Sequence, residues 1–375
     1  MGPPVRRGPC RRAPSRAVNS DLSSLGPHAR RLAADHATAE LLPPSVTGRE
    51  PRRHPFRIAL ISNPTSGRNA RRGQLSGIDD LLQAHPGVAH FQERTFEGIA
   101  AATRAAVGAD TEIIVVNGGD GSVQTVLTAL LSTPAEHLPV LAVLPGGTTN
   151  TTARNVGYGH RPLLALQRLL VESARGTLAG TVERRAVLRA DLEDGSQYAM
   201  MFGAGAVYHG IGFARGQLAS HGVRGQLGAG IALANFVTRV ITGRAGTMFP
   251  PLAATVHLDG VALPSAAYFG ILTSTMDRQF LGISPYWGVG PGPLRFSAMR
   301  DRPQHLGRAI VPALRGRPSR WLQPGFGYRS HNVDEVALTF TGGFTLDGEL
   351  FEPAAYERRL LLTARQSAYF LRAFP

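Results

Sequence analysis

The stretch EIIVVNGGDGSVQTVLTALL, residues 112–131, joins an apolar run to a helical pattern through the bend Asn-Gly-Gly-Asp-Gly. The run before the bend is typical of a buried strand. After it, apolar residues recur every three or four positions, which predicts a helix with one face docked on a sheet. These residues are Val123, Val126, Leu127, Leu130 and Leu131. The glycine-rich bend is therefore either a tight turn without a ligand or a place where a ligand meets the main chain.

Two more apolar runs of the first half end in similar bends. FRIALIS is followed by NPTSGR, and LPVLAVL by PGGTTN. This alternation of strand, turn and helix predicts a parallel α/β sheet. Because successive parallel strands end at the same edge, the three bends should meet there. A further helix is predicted over residues 161–176 by leucines at helical spacing.

The pattern changes to period two after about residue 180. Asp-Gly pairs at 194–195, 259–260 and 347–348 lie between alternating apolar residues, which predicts hairpins in a mainly antiparallel β region. A helix of about four turns is expected over residues 225–244, between the first two hairpins.

Glycines at the start of a helix leave backbone N–H groups open to a phosphate, and the helix dipole favours the negative charge. The bend at residues 117–122 meets this condition. The common nucleotide motifs are absent, because no Gly-x-Gly-x-x-Gly follows the first strand and the chain contains no lysine for a Walker loop.

Composition narrows the classes of protein further. All 40 basic residues are arginine, the formal charge is +14, and eleven arginines against four acids lie in residues 1–57. That segment is rich in Arg, Pro and Ser, so disorder is expected over residues 1–54. Nucleic-acid binding by this segment ranks low, since aromatic residues are not interleaved with the arginines. The single Cys10 and the lack of an apolar leader indicate a reduced, cytoplasmic protein.

Four motifs in order resemble the diacylglycerol kinase catalytic-domain family: Asn63-Pro64-x-Ser66-Gly67, Gly118-Gly119-Asp120-Gly121, Pro145-Gly146-Gly147-Thr148-Thr149-Asn150 and Asp347-Gly348-Glu349. The resemblance implies a three-layer, NAD-kinase-like α/β domain over 55–180. It also implies a mainly antiparallel β-sandwich over 181–375, with a C-terminal helix that packs back and a terminal segment that returns to the cleft. ATP with Mg²⁺ would lie between the two domains and donate its γ-phosphate to a lipid hydroxyl.

The resemblance also assigns roles to residues. Glu349 is the expected general base, Asp120 is expected to reach Mg²⁺ or the acceptor hydroxyl, and Asp347 joins them as a catalytic residue. Without the resemblance, Asp120 would be read as a helix cap and Glu349 as a hairpin residue. The expected ATP-binding residues are Asn63, Pro64, Thr65, Ser66, Gly67, Thr95, Gly118, Gly119, Gly121, Ser122, Gly147, Thr148, Thr149 and Asn150.

The chain departs from the family pattern at several places. The glutamate usual after the second motif is replaced by Thr125, and the aspartate usual after the third by Thr151. The segment that would carry a second, structural metal site has no acid at residues 288–297. Two alternatives therefore stay open beside the lipid kinase: a phosphotransferase resembling NAD kinase, and a catalytically weak protein that binds nucleotide or lipid.

Two segments bear on the partner. Residues 278–290 contain Phe280, Leu281, Tyr286 and Trp287, which a loop would expose, and residues 308–323 mix arginines with apolar side chains. Such mixtures occur at anionic membrane surfaces, although a solvated basic face over a core-facing stripe would have the same composition. The expected partner is a lipid alcohol at the inner face of a membrane, with the protein peripheral to it. No stable nucleic-acid complex is expected, and a homodimer is left open.

Overall fold

A computed structural model describes residues 54–70, 74–156, 161–176, 178, 181–221, 249–279 and 282–372. Every one of these residues belongs to the same structural unit. The predicted N-terminal segment 1–54 falls almost wholly outside the described residues, as does the helix predicted over 225–244.

The first half forms the predicted parallel sheet. Its strands are β1 (Ile58–Ser62), β2 (Ala89–Gln92), β3 (Ile113–Gly118) and β4 (Val140–Pro145), in the order β2-β1-β3-β4. Every residue of β1, β3 and β4 is buried, as continuous apolar runs predict for strands covered on both faces. Ser62 lies opposite Asn117, and Gly118 lies opposite Pro145, so the three strands end at the same level.

Five helices accompany this sheet, and four of them form two packed pairs. They are α1 (Gln74–Gln83), α2 (Phe96–Gly108), α3 (Asp120–Ser132), α4 (Thr151–Asn155) and α5 (Pro162–Ala174). Helix α2 packs on α3, and α1 packs on α5. Right-handed crossovers place the two pairs on opposite faces, which makes three layers. Val123, Val126, Leu127 and Leu130 are buried, so the predicted apolar face of α3 is confirmed.

The second half is mainly antiparallel, as predicted. Its strands are β5 (Thr181–Leu192), β6 (Gly195–Ala199), β7 (Met201–Gly205), β8 (Leu252–Leu258), β9 (Val261–Ala262), β10 (Ala266–Ser274), β11 (Leu294–Arg300), β12 (Tyr328–Val333), β13 (Glu335–Phe340), β14 (Phe344–Leu346), β15 (Glu349–Phe351) and β16 (Arg358–Arg372). Helices α6 (Ala206–His221) and α7 (Leu306–Leu314) and a 3-10 turn at Pro324–Phe326 complete it. The three Asp-Gly hairpins join β5 to β6, β8 to β9 and β14 to β15.

The C-terminal segment is strand β16, so the predicted C-terminal helix is wrong. Its first part pairs with β13, most of its length pairs with β5, and Phe370 pairs in parallel with Leu141 of β4. The first part alternates, with Leu360 and Leu362 buried on one side. After a register shift between Thr363 and Gln366, the strand becomes a continuous buried run. Pairing with strands remote in sequence therefore overrides any local helical tendency.

Strand β16 also bears on the domain boundaries. It hydrogen-bonds to both halves, so the described strands form one continuous sheet. The boundaries expected at residues 54/55 and 180/181 stay a prediction.

One predicted exposure is wrong. Tyr286 is buried, and Gln279 Nε2 donates to its hydroxyl at 3.3 Å. Trp287 is partly buried, while Phe280 and Leu281 lie outside the described residues. None of the helices in the described ranges has the length and apolar character needed to span a bilayer.

The junction between the halves predicts a stability effect. Phe370 is fully buried where β16 meets β4. Phe370→Ala should lower the free energy of unfolding by about 3–5 kcal/mol, because it leaves a cavity at this junction. Urea unfolding measures the change. Tyr356→Ala, at a position 57% exposed, is the control and should change it little. Equal effects of the two substitutions would contradict the role given to the junction.

Candidate active site

Three loops meet at the edge where β1, β3 and β4 end. We call them the first corner (residues 63–67), the second corner (118–122) and the third corner (146–150). A Cβ on Gly147 would collide with the Cα of Gly119, and a Cβ on Gly67 would collide with Thr148 Oγ1. The corners are therefore in direct contact, and the predicted convergence at one sheet edge is confirmed.

Hydrogen bonds join the corners to one another. The Gly119 N–H donates to Ser66 Oγ at 3.2 Å, and Asn63 Nδ2 donates to Ser122 Oγ at 3.1 Å. The N–H of Arg68 donates to the Gly146 carbonyl at 2.8 Å. Since these partners are buried or partly buried, losing one leaves an unsatisfied polar group and costs about 1–3 kcal/mol.

Asn69 is a member of this network that sequence reasoning missed. Its Nδ2 donates to the carbonyls of Asn63, at 2.9 Å, and Asn117, at 3.0 Å. The residue is almost fully buried, so it joins the ends of β1 and β3 from beneath the corners. No local signal marks Asn69, because both acceptors are main-chain atoms. Asn117 had a weak signal, an asparagine placed directly before two glycines.

Asp120 links the second corner to the helix that follows the third. Its Oδ1 accepts from the Thr152 N–H at 3.0 Å, and its Oδ2 accepts from the Thr151 N–H at 3.1 Å and from Thr149 Oγ1 at 2.7 Å. Asp120 therefore caps α4 rather than its own helix, with a carboxylate at a helix N-terminus, where negative charge is favoured. It is 9% exposed.

The hairpin between β14 and β15 brings the last motif to the same place. A Cβ on Gly121 would collide with Glu349 Oε1, so the Glu349 carboxylate lies against the first turn of α3. Asp347 has the left-handed conformation, with φ 48°, and Gly348 follows with φ 91°. These values suit a tight hairpin turn, which Asp and Gly tolerate. The turn places two carboxyl groups, Asp347 and Glu349, on the site.

Asp347 is the most perturbed of the carboxyl groups. Burial raises its pKa from 3.8 to about 8, hydrogen bonds from the Met200 N–H oppose that rise, and the charges of Asp120 and Glu349 add to it. The Met200 N–H lies 2.9 Å from Oδ2 and 3.1 Å from Oδ1. Asp347 therefore senses both other carboxylates of the site.

The remaining predicted ligands separate into two groups. In the first, side chains serve the loops: Asn150 has φ 52°, accepts from the Gly147 N–H at 2.7 Å and donates to the Gly147 carbonyl at 2.8 Å. Thr95 caps α2 by accepting from the Gly98 N–H at 3.1 Å, at the end of the neighbouring strand β2. In the second group, Thr65 and Thr148 are exposed, and Pro64 is partly buried. The Thr65 hydroxyl nevertheless donates to Asn63 Oδ1 at 2.7 Å, so it also serves the first corner.

The donors present fit a polyphosphate. The first turn of α3 has N–H groups without carbonyl partners inside the helix, and Thr148 on the third corner is exposed. In the described ranges, no three His, Cys, Asp or Glu side chains are grouped as metal ligands. Mg²⁺ commonly takes one or two carboxylates plus phosphate oxygens, so Asp120 Oδ1, with a single hydrogen bond, suffices on the protein side.

Comparison with known proteins agrees with this geometry. Residues 57–182 match the model of the diacylglycerol kinase catalytic domain. A curated relative, the diacylglycerol kinase of Bacillus subtilis (strain 168), is 31% identical over 109 residues, which cover 29% of this chain and 35% of that protein. The aligned part is thus about a third of that relative's length. The resemblance to the diacylglycerol kinase catalytic-domain family is confirmed.

Solved structures extend the likeness in fold. A diacylglycerol kinase of Bacillus anthracis strain Sterne superposes with a TM-score of 0.55 and 14% identity, over 86% of this chain and 98% of that one. A protein of the same strain, provisionally named a diacylglycerol kinase, superposes with a TM-score of 0.60 and 16% identity, over 86% and 99%. At such identities the likeness concerns the fold, which therefore extends beyond residue 182.

The close approach of the corners predicts a specific sensitivity. Gly147→Ala should lower the urea midpoint clearly, because its Cβ meets main chain that has no side-chain freedom to move away. Gly108→Ala, at the end of α2 with nothing within 4 Å of a Cβ, is the matched control and should be neutral or slightly stabilising. If both substitutions behave alike, the corners do not depend on this contact.

The raised pKa of Asp347 predicts a pH dependence of stability. The folded state holds a proton on Asp347 that the unfolded state has released, so the free energy of unfolding should fall as pH rises from about 4 to about 8. Asp347→Asn keeps an acceptor for the Met200 N–H and should flatten that part of the curve. Urea unfolding across this pH range tests it, with Asp194→Asn in another hairpin turn as the control. A slope unchanged by Asp347→Asn would contradict the assignment.

Proposed function

We propose that the protein is an ATP-dependent lipid kinase that phosphorylates the hydroxyl of diacylglycerol or a related lipid alcohol. The proposal rests on one observation above the others: a hairpin near the end of the chain brings Glu349 against Gly121, in the first turn of the helix that opens the glycine-rich motif. The family match over residues 57–182 and the names of the relatives support it.

The chain's own residues have distinct tasks in this reaction. Glu349 accepts the proton of the acceptor hydroxyl as that oxygen forms its bond to the γ-phosphorus, and the bond from this phosphorus to the β,γ-bridging oxygen breaks, so that ADP leaves. Phosphoryl transfer depends mainly on position and on neutralised charge, to which the main-chain N–H groups at the N-terminus of α3 contribute, with the exposed Thr148 hydroxyl as a further donor. Mg²⁺, when bound, neutralises developing charge on the phosphates, and Asp120 is the residue that would hold it.

Asp120 also has a structural task, so the effect of a substitution there on activity would have two causes. It accepts three hydrogen bonds from residues 149–152. Loss of activity in Asp120→Asn would therefore combine a lost charge with a weakened α4 cap. Glu349 is the cleaner probe of chemistry, since it lies on the strand of a short hairpin rather than between two corners.

Glu349→Gln tests the proposal. With labelled ATP and diacylglycerol in mixed micelles, its turnover should fall by roughly 10²–10⁴-fold, because the general base is lost while the shape of the side chain is kept. Glu352→Gln, at an exposed position in the segment after β15, is the control and should retain activity. Thermal unfolding of each variant shows that the fold is unchanged.

The same assay separates the alternatives. Label transferred to NAD rather than to lipid would point to the nucleotide as the acceptor. If no lipid of an extract acquires label after incubation with wild type and labelled ATP, a binding protein without turnover would be favoured. Full activity of Glu349→Gln would falsify the role of Glu349 whichever acceptor is labelled.

A further inference from the structure

The segment of residues 302–333 has an unusual charge pattern. It contains six arginines and no aspartate or glutamate. A run of this length with one sign of charge creates a positive potential at the surface, which attracts anionic partners. The candidate active site makes no use of these arginines.

Helix α7 divides this segment into an anchored side and an exposed side. Ala309 is fully buried, in a cluster with Leu322 and Tyr328. Arg308, Val311 and Arg315 are exposed, and their spacing of three and four places them along one stripe of the helix. Val311 keeps 49% of its surface in solvent. The stripe is thus basic at both ends with an apolar residue between them.

Trp321 holds two of the arginines in place. The guanidinium carbons of Arg308 and Arg320 lie 4.9 Å and 4.7 Å from its ring centroid. His305 and Phe326 contact each other with their centroids 4.8 Å apart, and His305 lies equally close to Trp321. Arginines stacked in this way keep their charge in a fixed position. Among the described residues, no Asp or Glu forms an ion pair with Arg308, Arg315 or Arg320.

We propose that these residues form an anionic-membrane docking surface. We call it the arginine–tryptophan surface: Arg308, Val311, Arg315, Arg320 and Trp321. Arginines favour an anionic bilayer, and an exposed valine between two arginines on one stripe of α7 suits the boundary between headgroups and acyl chains, as does the partly buried Trp321. A polynucleotide would gain from the charges but nothing from Val311. The choice of a bilayer as the occupant rests on the proposed function, since a lipid kinase must meet its acceptor at an interface.

A loop connects this surface to the candidate active site. Asn155 Nδ2, in the helix that Asp120 caps, donates to the Arg278 carbonyl at 2.9 Å. Further along, the Ser284 N–H donates to the Leu314 carbonyl at the end of α7, also at 2.9 Å. The Gln279 N–H also donates to the Ile283 carbonyl at 2.6 Å. Docking of α7 on a bilayer would therefore fix the distance and orientation of the candidate active site relative to the membrane.

Vesicle binding by the full-length chain tests the surface directly. The probes are vesicles of phosphatidylcholine alone and of phosphatidylcholine with phosphatidylglycerol, separated from free protein by sedimentation. Because each arginine at an anionic surface strengthens binding roughly fivefold, the double variant Arg308→Gln/Arg320→Gln should bind the anionic vesicles roughly 30-fold more weakly. The difference should shrink as salt is added.

A matched control removes the same charge elsewhere. Arg104→Gln/Arg359→Gln changes two exposed arginines, on α2 and β16, and should stay within about twofold of wild type. Val311→Ser should weaken vesicle binding but not binding of a labelled single-stranded oligonucleotide. Its control is Val261→Ser, at a position 68% exposed on β9.

Three results would overturn the inference. In the first, the wild-type protein does not bind anionic vesicles. In the second, the surface variants and the control variants bind these vesicles equally well. In the third, Arg308→Gln/Arg320→Gln weakens binding of the oligonucleotide but not of the vesicles. Equal binding would point to the arginine-rich residues 1–57 as the contact. Kinase activity on a short-chain, water-soluble diacylglycerol is measured separately. If it is absent while the vesicle results hold, the proposed function fails and the docking surface stands.

Discussion

The close packing of Gly119 against Gly147 is the constraint on which the site depends. A Cβ on Gly119 would lie 3.4 Å from the Cα of Gly147, and a Cβ on Gly147 would overlap Gly119. At this separation Asp120, at the start of α3, accepts from two N–H groups of α4. The two glycines are thus required because the main chains of the second and third corners are in direct contact, which leaves no room for a side chain. In the proposed function the same bend has a second use, because it would present main-chain N–H groups of α3 to a phosphate.

The antiparallel half contributes two carboxyl groups to the site, those of Asp347 and Glu349, beside Asp120 of the parallel half. Strand β16 ties the halves together by pairing with β13, β5 and β4. In the hairpin, the Asp347 carboxyl accepts from the Met200 N–H, which orients the turn. Helix α3 is held to the same half, since Gln124 Nε2 donates to Gln197 Oε1 at 3.1 Å. The position of Glu349, the proposed general base, therefore rests on contacts between segments far apart in the chain.

Local pattern predicted what local forces decide. The buried strands, the apolar face of α3 and the three Asp-Gly hairpins were correct because burial and turn chemistry act over a few residues. The same reasoning failed at β16, where a helix was expected, and at Tyr286, expected to be exposed. Strand β16 depends on β4, β5 and β13, which are remote in sequence. Burial of Tyr286 depends on how its own segment folds, since Gln279, seven residues away, donates to its hydroxyl.

The sequence by itself determined the order of strands, bends and hairpins, and it predicted that three glycine-rich corners share one sheet edge. Only the tertiary structure decided how the side chains there are used. Asn63, Asn69, Asn150 and Asp120 hold the corners together, the Thr65 hydroxyl donates to Asn63, and Thr148 is exposed. The reason is physical: the same amide or carboxylate can bind a ligand or a neighbouring loop, and the choice depends on distances across the fold that no local pattern encodes.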